Sequence, residues 1–312
     1  VIFFTFKEAK QVDWESCYAK IKEVISHLYK EHQYLLESSL LTAQEQEEFN
    51  AVLEKKADLA LLSSSLKNLS FYLEQYHGVK PVVLIDEYDA PIHSGYEHSY
   101  YNKIIDFTRS FLGAGLKDNN ALNFAVMTGI LRVAKESIFS GLNHLAVYTL
   151  LNDPFSTTFG FTQPEVDQLL QDYDLVSQAE EVRRWYNGYL MGSEQSVYNP
   201  WSILNFLNLR KIGTYWVNTS DNLLIKKLVV DYAFQEQEDL ELLLSGKDIR
   251  KRIYETVTML GVDEAVDEEL FWTFLLFSGY LSFRSVSVST DGCHAELCLP
   301  NLEVLTFYNE TM

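Results

Sequence analysis

"KPVVLIDEYDAPI", Lys80 to Ile92, is the stretch on which the reading of this sequence turns. Pro81 to Ile85 run apolar and rich in β-branched residues, then stop at Asp86, Glu87 and, two residues on, Asp89. So short and continuous an apolar run predicts a strand buried on both faces, as in parallel sheets. Carboxylates at the C-terminal edge of such a strand can hold a metal ion and a water beside a ligand, because open α/β sheets bind their ligands there. The plainer alternative is that the acids merely end the strand at an acidic surface.

Bulk properties narrow the field. At 312 residues the chain has length for about two domains with substantial cores. A hydrophobic content of 47%, with 14% aromatic, excludes a disordered chain. The net charge of −19 argues against direct nucleic-acid binding, since affinity for a phosphate backbone comes from Lys and Arg. The one clear basic cluster, Lys247 to Arg252 ("KDIRKR"), is flanked by acidic stretches and reads as a solvated helix face. Three scattered cysteines, Cys17, Cys293 and Cys298, make no disulfide framework. "CHAELC" lacks the further ligands that zinc requires, so a strand with buried thiols is expected there. These features predict a reducing, cytoplasmic setting. The most membrane-like run, Phe271 to Phe283, has 13 residues, short of the roughly 20 that span a bilayer, and no membrane partner is expected. No signal peptide is present and the first residue is Val1, so a chain cut from something longer is expected.

Periodicity supplies the elements. Strands are expected at Val1–Phe6, Val82–Ile85, Leu122–Met127 and Val147–Leu151. Helices are expected from about Trp14 to Glu31, from the Thr42/Glu45 capping box onward, from Asp58 to His77 before Gly78, and from Tyr100 to Leu112. Alternating strands and helices predict a parallel α/β sheet. A boundary is expected near Asp153–Thr162. Beyond it the chain reads as mostly helical to about Ser278 and ends in a hairpin around "STDG".

A hydrophobic run ending in Asp-Glu is also the Walker B pattern of nucleotide hydrolases. That pattern calls for an earlier G-x-x-x-x-G-K-[ST] loop. None is present. Gly78 is the only glycine between Val1 and Lys80, and the Gly246-Lys247 pair has Glu241 where the first glycine belongs.

Beyond single motifs, "VVLIDEYDAPI", "MTGILRVAKESIFSGLNHL", "FGFTQPEV", "WYNGY", "VYNPWSILNFL", "YWVNTSDN" and "LLFSGYLSF…LPN" follow one another in an order and spacing that closely resemble the bacterial AAA-ATPase-like family. Members of that family often carry a C-terminal PD-(D/E)XK nuclease-like domain. The resemblance implies a parallel-sheet, P-loop NTPase-like (AAA-like) core missing its first strand, at residues 1–155. It further implies a helical lid at 156–265 and a small winged-helix-like end at 266–312. The phosphate loop would lie just before "VIFFTFKEAK" and the nuclease-like part after "PNLEV".

The same resemblance implies Mg²⁺ and ATP as cofactor and ligand of the intact parent, and an attached nuclease-like domain and a homo-oligomer as partners. It makes Asp86 the Mg²⁺ ligand and Glu87 the residue that orients the attacking water. Asp89 either supports that site or caps the turn before Pro91. Thr128 matches a sensor position, against the plainer reading of a strand-end hydroxyl bonded to its own backbone. Arg132 and Lys135 can face a phosphate or a neighbouring subunit's nucleotide, or simply lie at the surface. The aromatics around Asn187-Gly188 read as core, Asn199 as a helix cap before Pro200, and Asn218, Thr219 and Ser220 as helix-start caps. The seven histidines show no H-E-x-x-H, and Glu54-x-Lys56 lies in a polar helical stretch rather than on a nuclease strand. Two functions follow from these readings: an ATPase-like module regulating an attached effector in the intact parent, and a non-hydrolysing scaffold or regulatory interaction module. On the first, this segment alone is expected not to turn over ATP.

Overall fold

A computed structural model describes residues 1–130, 145–193, 195–219, 223–232, 235–254 and 268–311. Among these the chain forms two compact units, one up to Leu145 and the other from Ala146 onward.

The first unit is built on three parallel strands, β1 (Ile2–Thr5), β2 (Val82–Asp86) and β3 (Phe124–Met127), in the order β1-β2-β3. The register sets Ile2 beside Val83 and Leu84 beside Val126. Between β1 and β2 run α1 (Trp14–Glu31), α2 (Ala43–Leu53) and α3 (Leu59–His77); α4 (Ala90–Glu97) and α5 (Tyr101–Leu112) lead to β3. Each helix of the first crossover starts on a side-chain cap. Asp13 accepts from Ser16 N–H at 2.8 Å, Asp58 from Leu61 N–H at 2.8 Å, and Glu45 takes the Thr42 N–H at 2.7 Å. Gly78 ends α3 at φ 68°, the left-handed conformation that glycine enters without penalty.

One face of the sheet carries Ile2, Phe4, Val83 and Ile85, all buried with Ile21, Leu62, Leu66, Phe107 and Phe111 in one core. Phe4, Phe6 and Phe111 meet edge to face with centroids 5.3–6.2 Å apart. The other face is also apolar but open: Phe3, Phe124 and Val126 are 56%, 54% and 48% exposed. The sequence is thus that of a strand set covered on both faces, whereas among the described residues one face is covered.

The expected fourth strand at Val147–Leu151 does not form; its first three residues are irregular and the last two lie in a turn. The Asn152 side chain takes the Thr149 N–H at 2.8 Å and its hydroxyl at 3.2 Å. Local turn chemistry from Asn152-Asp153-Pro154 therefore wins over the β-propensity of the apolar run.

The second unit begins with α6 (Gln163–Asp172), whose capping box is closed by Thr162 N–H on Glu165 at 2.8 Å, and α7 (Ala179–Tyr186). A hairpin of β4 (Tyr189–Met191) and β5 (Gln195–Val197) interrupts what reads as a helical stretch. Helices α8 (Pro200–Leu209), α9 (Leu223–Tyr232) and α10 (Gln237–Leu244) follow. Then come β6 (Ile249–Ile253), α11 (Glu268–Phe277), β7 (Ser282–Ser289), β8 (Gly292–Cys298) and α12 (Leu302–Thr311). The three last strands form an antiparallel sheet in the order β6-β8-β7, with the hairpin at "STDG" in place. Cys293 and Cys298 are buried free thiols on β8. Tyr186 is fully buried with Val166, Val182 and Phe206, and Trp185 packs on that core. Asn199 caps α8 by accepting from Ser202 N–H. Asn218 and Thr219 bond back onto Thr214 and Trp216, and Ser220 lies outside the described residues.

"KDIRKR" corrects its helical reading, because Ile249 and Ile253 are buried and alternate with exposed Arg250 and Arg252 on β6. Lys251 points the same way as the isoleucines. Its ammonium lies 5.0 Å over the Trp272 ring, 2.6 Å from Asp239 and 3.1 Å from Glu236, and also pairs with Glu268. Burial alone would depress its pKa, but these carboxylates more than offset burial and hold Lys251 charged.

A second buried charge ties the unit together. Glu303, in the first turn of α12, is 0% exposed and accepts from Tyr215 N–H (2.6 Å), Trp216 N–H (2.7 Å) and the Ser202 hydroxyl (2.6 Å). Burial raises its carboxyl above the ordinary 4.5 in spite of those donors.

Two predictions follow from the packing. Glu303→Ala strands at least three donors and should cost on the order of 3 kcal/mol or more, whereas Glu303→Gln, which still accepts the Tyr215 and Trp216 amides, should cost about 1 kcal/mol. Four of the five tryptophans lie beyond Ala146 and report the unfolding by fluorescence. The folded protein binds the Glu303 proton more tightly than the unfolded chain, so wild type should gain on Glu303→Gln as pH falls through the raised value toward about 4. A relative loss on acidification would contradict this account. On the open sheet face, Phe124→Thr with Val126→Thr should reduce self-association in light scattering and leave the melting midpoint nearly unchanged. A large drop in the midpoint would mean the face is packed.

Candidate functional site at the strand ends

Because β1, β2 and β3 are parallel, their C-terminal ends share one edge of the sheet. The backbone at the end of β2 is held from both sides: Phe6 N–H donates to the Asp86 carbonyl at 3.0 Å and Thr128 N–H to the Ile85 carbonyl at 2.9 Å. Asp86 is half-buried between these neighbours. The Thr128 hydroxyl donates to Asp86 Oδ1 at 2.5 Å, a charge-assisted bond at the short end of its range. Asp86 and Thr128, 42 positions apart in sequence, are thus brought together.

Glu87 leaves the strand in a left-handed conformation, φ 50°. That geometry disfavours a residue with a Cβ by about 1–2 kcal/mol. It turns the chain so that Tyr88 N–H reaches the Thr128 carbonyl at 3.1 Å, the last rung between the two strand ends. The Glu87 carboxylate lies 3.8 Å from Lys10 Nζ, both groups partly exposed, an ion pair that water screens.

Asp89 is 2% exposed. Its side chain does not cap α4, whose Ile92 and His93 amides go to the Asp89 carbonyl instead. The carboxylate crosses to the end of β3, where Oδ2 accepts from Ile130 N–H at 2.8 Å, and His93 Nε2 lies 3.3 Å from the same oxygen. Gly129 passes directly over this carboxylate. A Cβ there would come within 2.7 Å of both Asp89 Oδ1 and Tyr88 Cε1, closer than van der Waals contact permits.

Asp86, Glu87, Asp89 and Thr128 therefore share one edge of the sheet, while Arg132 and Lys135 lie outside the described residues. Sequence reasoning missed Lys10 and Gly129. A glycine directly after a strand-end threonine was a usable signal; nothing local marks Lys10.

The donor set fits one kind of cation site. Among the described residues no three His, Cys, Asp or Glu side chains converge to cage a metal. Mg²⁺ is ordinarily held by one or two carboxylates together with substrate phosphates and waters. A strand-end carboxylate with an adjacent hydroxyl suits that shared coordination. The phosphate half has no counterpart in the sequence, which contains no G-x-x-x-x-G-K-[ST]. Among the described residues no helix is long and apolar enough to cross a membrane.

Comparison with known proteins bears on these same residues. A curated relative, "Uncharacterized protein in vnfD 5'region" of Azotobacter chroococcum mcd 1, is 29% identical over 241 residues, which cover 75% of this chain and 43% of that protein. The chain thus spans under half the length of that relative. No solved structure matches. A family described as predicted AAA-ATPase matches residues 1–139, the part that holds β1, β2, β3 and every strand-end acid above. Over those residues the chain is a match to the AAA-ATPase-like family.

Proposed function

We propose that residues 1–139 contribute the cation-holding and water-orienting edge of a Mg²⁺-dependent ATP-hydrolysing site, and that in the complete protein this activity regulates an attached effector. The observation that carries the reading is the Thr128–Asp86 hydrogen bond at the shared C-terminal edge of two parallel strands, with Glu87 the next residue. Mg²⁺ bound to a triphosphate neutralises charge that develops on the transferred phosphoryl group.

Each residue then has a distinct task. Thr128 fixes one oxygen of Asp86 and thereby presents the other toward solvent and a cation. Glu87, turned out of the strand, accepts a hydrogen bond from a water and orients it for attack. Its ion pair with Lys10 is weak enough to exchange for that water. Arg132 and Lys135 are proposed to face phosphate. A phosphate-gripping loop is not among these 312 residues and has to be supplied from elsewhere in the complete protein. Positioning of the triphosphate is most of phosphoryl-transfer catalysis, so the acids alone do not suffice.

The test separates binding from chemistry. In the complete protein, Asp86→Asn should weaken Mg²⁺–ATP binding by about ten-fold or more in calorimetry. Glu87→Gln should keep binding and lower turnover by roughly 10²-fold or more. The 312-residue chain alone should show no turnover. A complete protein that neither binds nor hydrolyses Mg²⁺–ATP would instead support the scaffold reading, in which Asp86 and Glu87 only tie the strand end through Thr128 and Lys10. Turnover by the 312-residue chain, abolished by Glu87→Gln, would contradict the need for an outside loop.

A further inference from the structure

Burying a carboxylate is unfavourable unless donors compensate it, and Asp89 is buried at the start of α4 without capping that helix. One donor to it lies on another element. Ile130 N–H, just past β3, reaches Oδ2 at 2.8 Å, within the range of charge-assisted bonds. On the other side of the carboxylate, Gly129 lies so close to Oδ1 and to the Tyr88 ring that no side chain fits. The turn 128–130 is therefore gripped twice, by a bond to one oxygen and by close packing on the other. Its entry is fixed as well, because Thr128 N–H is bonded to Ile85 and the Thr128 carbonyl receives Tyr88 N–H. The residue so placed is the one whose hydroxyl meets Asp86.

We propose that Asp89 is a positioning residue for the strand-end site: by anchoring the Thr128–Ile130 turn it sets the Thr128 side chain on Asp86, and so decides which Asp86 oxygen faces a cation. The proposal rests on the cation-holding reading of Asp86 given above. Asp89 touches neither cation nor substrate; it acts through Ile130 and Thr128. A helix-capping role is excluded by its geometry. A mere buried pair with His93, 3.3 Å away, would explain neither the Ile130 bond nor the space that Gly129 leaves. The route also ties α4 to the cation-facing carboxylate, so a displacement of α4 is expected to alter Asp86 through the turn.

The test uses NMR of the isotopically labelled 312-residue chain without nucleotide. In Asp89→Ala, exchange of the Ile130 amide should rise about ten-fold or more. The three-bond couplings of the Thr128 methyl should change from those of one rotamer to an average, while amides in α1 and α3 keep their protection. Asp89→Asn retains an acceptor oxygen and should restore most of both signals. If Asp89→Ala does not fold, Gly129→Ala serves in its place: it keeps the carboxylate, displaces the turn and should produce the same averaging at Thr128. Unchanged Ile130 exchange and an unchanged Thr128 rotamer in the folded variant would overturn the proposal. Mg²⁺–ATP titration of the complete wild-type protein tests the underlying reading separately, since failure there leaves the NMR signals intact.

Discussion

Strand β2 is hydrogen-bonded in parallel on both sides, and the arrangement of the first unit depends on that pairing. Its register decides which side chains enter the core: Val83 and Ile85 go in with Ile2 and Phe4, and a slip of β2 by one residue would turn Val83 and Ile85 outward. Parallel pairing also requires long crossovers, supplied by α1 to α3 on one side and α4 to α5 on the other. Most important for chemistry, it brings three strand ends to one edge. Asp86 is held there because Phe6 and Thr128 bond the backbone on either side of it. The acids do not assemble a site by themselves; the ladder places them.

The edge combines restraint with strain. Asp86 and Asp89 each accept a bond from the end of β3, from the Thr128 hydroxyl and the Ile130 amide respectively. Between them Glu87 sits at positive φ, a conformation that persists only where its surroundings enforce it. Here the enforcement is visible in the Tyr88–Thr128 rung just after it. The Glu87 carboxylate stays partly exposed beside Lys10, which suits the water-orienting task proposed for Glu87. The open apolar face of Phe3, Phe124 and Val126 belongs to the same three strands.

Much of the first unit was legible because its signals are local. The apolar run ending at Asp86, the Thr42/Glu45 box and the glycine after His77 each state their structure within a few residues. The failures share a different cause. At Val147–Leu151 the apolar run looked like a strand, but the turn set by Asn152 competes over the same residues. In "KDIRKR" the charges concealed an alternation between Ile249 and Ile253. What makes Lys251 acceptable on the inward side is Glu236, Asp239, Glu268 and Trp272, all remote in sequence. For Asp89 the sequence leaves two roles open, supporting the site or capping the turn before Pro91; its side chain makes no cap bond on α4 and accepts from a residue 41 positions away. The edge could be located from sequence, but its wiring through Thr128, Gly129, Ile130 and Lys10 is tertiary and had no local signature.

The most direct measurement of the central claim is a crystal structure of the complete protein with Mn²⁺ in place of Mg²⁺ and a non-hydrolysable ATP analogue, with anomalous diffraction locating the metal. The account predicts an anomalous peak at the C-terminal edge of β2, coordinated directly or through one water by the Asp86 oxygen that Thr128 does not occupy, with Glu87 facing the terminal phosphate. A metal–nucleotide complex bound elsewhere, with the Thr128–Asp86 bond and the Lys10–Glu87 pair unchanged beside an empty strand edge, would contradict it.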